Sequence, residues 1–140
     1  MRIVVDTNVF ISACIGRGDA SKVIEACIEG RAVPLIGKAL YLEYEDVIAR
    51  DDIFRRARLN LAERNALFDI FLGKCDRPDV YFRWRPNLSD ESDNHIMDLA
   101  VAGNARFVIT SNTRDFRGAE LRFEHIAVVS PTRFLEELNR

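Results

Sequence analysis

The sequence predicts an α/β domain in which a central, mostly parallel sheet of about five strands is flanked by helices. Three observations lead there. Short apolar, β-branched runs alternate with helix-patterned stretches along the whole chain, the order that βαβ crossovers require. The first run, Ile3-Val4-Val5, is apolar without alternation, as in a central strand buried on both faces. It ends sharply at Asp6-Thr7-Asn8, a polar group at the carboxyl end of a strand, where open parallel sheets bind their ligands. No repeat, linker or low-complexity stretch divides the 140 residues, so a single domain over 1–140 is expected.

After that first strand, Ala20 to Ile28 reads as a helix with Val23, Ile24, Cys27 and Ile28 on one face and Gly30 as its stop. Ala32 to Ile36 is a second strand, and Pro34, which lacks an N–H, places it near a sheet edge. Ala39 to Ala49 is a helix carrying Leu40, Tyr44, Val47 and Ile48. Asn60 and Glu63 have the capping-box spacing and open a helix through Leu67, Phe68, Phe71 and Leu72. Val80-Tyr81-Phe82 reads as a further strand. Ser89 to Asp93 is an acidic helix start, followed by Ile96, Met97, Leu99 and Ala100, with Gly103 as terminator. Phe107–Ile109 and Ala127–Val129 are the last strands, and Pro131 opens a final helix through Leu138.

The composition, 48% apolar and 30% charged, is that of an ordinary globular protein. No stretch approaches ~20 uncharged apolar residues, and the first residues run straight into a strand, so neither a membrane span nor a signal peptide is expected. Cys14, Cys27 and Cys75 form no C-x-x-C pair or Cys/His array, which suits reduced thiols in a cytoplasmic protein. The net charge of −2 speaks at first against a nucleic-acid partner. Four acids that hold cations would change that: leaving Asp6, Glu43, Asp93 and Asp115 out of the count turns −2 into +2.

Those four acids carry the chemistry. Asp6 and Asp115 follow the first strand and the Phe107–Ile109 strand, although aspartate also ends strands and begins turns for purely local reasons. Glu43 says more. It lies three residues after Leu40 and four before Val47, so it borders the apolar stripe of its helix, while Glu45 and Asp46 point away. No Lys or Arg occupies its i±3 or i±4 positions, and a carboxylate at a core boundary is costly unless paired or metal-bound. Asp93 lies one turn before Ile96 and Met97 on an inward face; as a helix-start acid it would be redundant beside Asp90 and Glu91. Four acids from four elements make an oxygen-rich pocket, and oxygen ligands without Cys or His select Mg²⁺ or Mn²⁺. Such an ion turns water into a nucleophile and stabilises a phosphate under attack.

Val5-Asp6-Thr7-Asn8-Val9-Phe10, Glu43, Ser92-Asp93-Asn94-His95-Ile96 and Ile109-Thr110-Ser111-Asn112-Thr113-Arg114-Asp115-Phe116 together resemble the motifs of the PIN-domain family. The resemblance covers essentially the whole chain in order and spacing, and is closest to the VapC-type toxin ribonucleases of bacterial toxin–antitoxin pairs. It implies a Rossmann-like sheet, Mg²⁺ or Mn²⁺, cleavage of RNA and an antitoxin partner. It also implies that Asp6, Glu43, Asp93 and Asp115 are ligands, that Asp90 supplies an additional carboxylate, and that Thr110 and Asn112 shape the pocket.

Smaller signals admit two readings each. Asn8 and Thr7 either orient Asp6 or simply form a turn. Arg85 and Arg114, with Arg83, Arg117, Arg122 and the basic run from Arg50 to Arg58, are either solvated surface or phosphate contacts. Trp84 either packs or stacks a base. His95 and His125 fall outside any ligand spacing and read as structural or exposed. Leu67, Phe68, Phe71 and Leu72 are more apolar surface than one small helix needs against one neighbour, so a homodimer, or an antitoxin segment laid beside that helix, is expected. A haloacid-dehalogenase-type phosphatase or a receiver domain would need a second acid where Asn8 stands and a late lysine, yet the last is Lys74. The alternative from another class is a catalytically silent PIN-like module that binds RNA or protein.

Overall fold

The computed structural model describes residues 1–78, 91–113 and 125–140, apart from the side chains of 91–93. Arg2–Val5 (β1) is central. It pairs in parallel with Val33–Pro34 (β2) on one side and with Phe107–Ile109 (β3) on the other, and Ala127–Val129 (β4) continues beyond β3. The order is β2-β1-β3-β4, all parallel. Ile3, Val4 and Val5 point alternately to opposite faces and none is more than 1% exposed, so both faces of β1 are covered, as its unbroken apolar run requires. Pro34 sits in the outer described strand; beyond it Leu35 makes a single parallel bridge to Asp76. The strand expected at Val80–Phe82 lies outside the described residues.

Six helices accompany the sheet among the described residues: Thr7–Ile15 (α1), Asp19–Ile28 (α2), Lys38–Ile48 (α3), Leu61–Lys74 (α4), Glu91–Ala102 (α5) and Pro131–Leu138 (α6). Five fall within one or two residues of the bounds read from sequence. The caps explain why. Asn60 accepts from the Glu63 N–H at 2.9 Å while Glu63 accepts from the Asn60 N–H at 3.0 Å, which is the expected capping box. At the end of α2, Gly30 takes φ +80°, and the Gly30 and Arg31 amides return to Cys27 and Ala26, a Schellman turn that favours glycine. Gly103 stops α5 for a different reason. A Cβ there would lie 2.3 Å from Leu35 Cδ1, and the left-handed residue is Asn104 at φ 55°.

The sixth helix, α1, was not among the elements read from the sequence. The chain passes from β1 through Asp6 directly into α1. Val9, Phe10, Ala13 and Cys14 are all buried and α1 packs on both α2 and α3, so it has too little polar surface for helical periodicity to show. A second difference concerns α4. Phe68 and Phe71 are 5% and 1% exposed, and Leu67 and Leu72 pack partly buried against the same core. Of the face expected to lie partly outside the core, the two phenylalanines therefore serve their own domain, and the two leucines do so in part. They do so because α4 meets more than one neighbour: Phe10 of α1 and Tyr44 of α3 form, with Phe68 and Phe71, a cluster of rings 5.1–6.0 Å apart. What α4 exposes is Leu61 and Ile70, 45% and 52%. No helix among the described residues is long and apolar enough to cross a membrane.

The aromatic cluster makes a direct prediction. Phe71→Ala should lower stability by about 3–5 kcal/mol in urea denaturation, because a rigid ring leaves a cavity among three others. Ile70→Ala, one residue away on the exposed side, should change it by less than about 0.5 kcal/mol. Equal effects would mean that α4 packs the other way round.

Candidate functional site

The site is built where β1 and β3 end. Their register sets Val5 opposite Ile109, and the Asp6 amide donates to the Ile109 carbonyl at 2.9 Å, so Asp6 and Thr110 leave the sheet side by side. Asp6 is 7% exposed and Thr110 fully buried. The Thr110 hydroxyl donates to Asp6 Oδ2 at 2.9 Å. Asn8, on the first turn of α1, donates from Nδ2 towards Asp6 Oδ2 at 3.3 Å and Thr110 Oγ1 at 3.1 Å, while its Oδ1 accepts from the Ser111 amide at 3.0 Å. The Asn112 amide in turn donates to Thr110 Oγ1 at 3.1 Å. Asp6 is the N-cap residue of α1, yet its side chain makes no capping hydrogen bond; the carboxylate stands at the positive end of the helix instead.

Glu43 reaches the same place from α3. Its Oε1 accepts from the Thr7 hydroxyl at 2.9 Å and its Oε2 faces His95 Nε2 at 2.9 Å. With 32% of its side chain exposed it stands at the mouth of the site, while Glu45 and Asp46 on the same helix are exposed to solvent. Burial pushes the Asp6 carboxyl above the usual aspartate range; the Thr110 hydrogen bond opposes the rise, and the nearby Glu43 charge adds to it. Two carboxylates are thus held within electrostatic reach of each other, one of them buried.

Of the acids singled out from sequence, Asp6 and Glu43 are brought together. Asp93 lies in the first turn of α5, a helix that packs against β1, β3 and α3, but its side chain is outside the described part. Asp90, Asp115, Arg85 and Arg114 also lie outside the described residues, as does Trp84. Asn8, Thr110 and Asn112 all take part in holding Asp6, so Asn8 is an orienting residue, whereas the Thr7 hydroxyl serves Glu43. Of the two readings of His95, structural or exposed, the structure favours the first: it is a partner of Glu43, because one turn of α5 carries it to the mouth of the site. A histidine two residues after a candidate ligand was the only sequence signal for it. Asn94 and Asp98, 1% and 3% exposed, are further buried polar side chains of α5 that sequence reasoning did not single out.

Among the described residues no group of three or more His, Cys, Asp or Glu is placed to hold a metal; the Asp93 side chain and Asp115 are outside that description. The donors that are described nevertheless fit a hard cation. They are carboxylate oxygens, one kept from solvent at a cost that a cation would relieve. The three cysteines are free thiols, and burial pushes them up to about 11 (Cys14) and about 12 (Cys27 and Cys75), so no soft thiolate competes.

The family described as PIN domain matches this chain over residues 2–114. A search of curated proteins found no match. Among solved structures, the chain is similar to one in the crystal structure of VapBC2 from Rickettsia felis bound to a DNA fragment from their promoter. The TM-score is 0.61 at 14% identity, over 93% of this chain and 98% of that one, a likeness that bears on the fold alone.

The buried carboxylate has a measurable consequence. The folded-state pKa of Asp6 is raised above its unfolded value, so the folded chain holds this proton more tightly. Ionised Asp6 then costs stability above the ordinary aspartate range, a cost that disappears as the pH falls through the raised value. Asp6→Asn keeps the shape and removes the cost. Without metal, the variant should be at least as stable as wild type near neutral pH, and its advantage should shrink on acidification. Thermal melts across the acidic-to-neutral range test this; a variant less stable at every pH would make Asp6 a mere turn residue.

Proposed function

The chain belongs to the PIN-domain family, and from that premise we propose that it is a Mg²⁺- or Mn²⁺-dependent endoribonuclease, the toxin component of a toxin–antitoxin pair. The observation that carries the reading is the arrangement at the end of β1. A buried Asp6 carboxylate is fixed by Thr110 and Asn8, and a second carboxylate, Glu43, is held beside it from another helix. Nothing in the packing of the core calls for two such acids, since apolar residues there would avoid both desolvation and repulsion.

In this reading Asp6 and Glu43, with Asp93 and Asp115 and with Asp90 as a further carboxylate, hold the cation. When bound, the ion supplies an activated water and neutralises charge on the scissile phosphate. The chain's own residues do the rest. Thr110 and Asn8 keep Asp6 in one orientation, Asn112 steadies Thr110 through its backbone, and the walls of the site exclude bulk water around Asp6. Arg85 and Arg114 are assigned to the RNA phosphates, which they would meet as charged contacts that position the strand without reading its sequence. The likeness to VapBC2 supports an antitoxin partner. A homodimer is proposed beside it, with the exposed Leu61 and Ile70 of α4 as apolar surface for either contact.

Cleavage of a mixed RNA substrate, with and without Mn²⁺, tests the activity. Wild type should cut only with metal, and Asp6→Asn and Glu43→Gln should abolish cutting. In parallel, metal at a hundredfold over its dissociation constant should stabilise wild type by about 2.7 kcal/mol and Asp6→Asn by much less. A wild type that binds RNA but neither binds metal nor cuts would make the protein a silent binding module.

A further inference from the structure

Glu43 is held at both of its oxygens, and each hold comes from a different element. Thr7, the first residue of α1 and 5% exposed, donates its hydroxyl to Oε1 at 2.9 Å. His95 of α5, with 15% of its side chain exposed, meets Oε2 with Nε2 at 2.9 Å. The other ring nitrogen, Nδ1, is buried and meets no hydrogen-bond partner among the described residues. The tautomer that leaves no buried N–H unsatisfied therefore carries its hydrogen on Nε2, facing Glu43.

We propose that His95 is a positioning residue for the divalent cation, acting through Glu43: its Nε2–H, opposed by the Thr7 hydroxyl, fixes the carboxylate in the orientation that receives the ion. The inference rests on the reading above that Glu43 is a ligand. A glutamate has three side-chain torsions, and one left free at the mouth of a site must lose that freedom when the ion arrives. Here two hydrogen bonds have already removed it. A carboxylate oxygen that accepts one hydrogen bond is still a metal ligand, because each oxygen offers two lone-pair directions. Losing a hydrogen bond that orients a metal ligand in this way commonly costs about ten- to a hundredfold in metal affinity.

The test is calorimetric Mn²⁺ binding to the full chain at constant pH, with melting curves to establish that each variant is folded. His95→Phe keeps a planar ring and loses the donor; it should weaken Mn²⁺ binding roughly tenfold. His95→Leu is a second donor-free variant and should behave alike. His95→Gln places an amide N–H close to the position of Nε2 and should recover most of the affinity. Glu43→Gln should bind more weakly than any of them. If the donor-free variants bind like wild type while Glu43→Gln does not, the clamp is wrong and the metal site stands. If Gln is as weak as Phe, the ring matters only for packing and the proposal falls. Should Glu43→Gln bind like wild type, Glu43 is no ligand and both readings fall together.

Discussion

A carboxylate buried at the end of a β-strand is unfavourable unless something answers it, and in this protein the answer comes from the neighbouring strand. Thr110 can donate to Asp6 only because β1 and β3 are parallel, adjacent and in a register that sets Val5 opposite Ile109. A slip of one residue would turn the Thr110 hydroxyl to the other face of the sheet and take that donor from Asp6. The polar chain beyond it, from Asn8 through Ser111 and Asn112, is local and follows from that pairing. Burial, Thr110 and Glu43 together then set the proton affinity of Asp6, so the same contact that fixes the fold's register also sets the chemistry of its site.

The apolar core keeps the second carboxylate in place. Tyr44, the residue after Glu43, is fully buried among Phe10, Phe68 and Phe71, and its hydroxyl donates to the Val5 carbonyl at 2.7 Å. That bond ties α3 to the last residue of β1, immediately before Asp6. Burial pushes Tyr44 well above the usual tyrosine range, so the phenol remains a donor under any ordinary condition. Further along, Arg64 is 3% exposed, lies over the Phe54 ring and donates to the Ile48 carbonyl at 3.1 Å, satisfying a backbone group at the end of α3 that the helix itself leaves open. Helix α3 is thus anchored in its middle and at its C-terminal end, and Glu43 inherits its position.

Much of this was legible from residue order. The capping box at Asn60, the Gly30 stop and the unbroken apolar strand at Ile3–Val5 are local signals with local causes, and each element lies where its signal put it. Glu43 was legible too, since an acid bordering an apolar stripe without a cationic neighbour needs a partner from elsewhere. Helix α1 was not, because an element buried against two others has no polar face to reveal its period. How far the α4 face turns inward was not legible either, because a row of apolar residues states how much surface must be buried but not against how many neighbours.

What the sequence by itself determined is therefore the class of fold, the family over residues 2–114, and two acids that belong at the end of the sheet. Those features depend on spacing along one strand or one helix, and spacing is written in the chain. Tertiary structure alone decided which hydrogen bonds those acids make. Thr110 comes to Asp6 across 104 positions, and His95 to Glu43 across 52, through a strand pairing and a helix packing that no short segment encodes. Hydrogen bonding acts over about 3 Å and is indifferent to separation along the chain, so its partners exist only once the chain has folded.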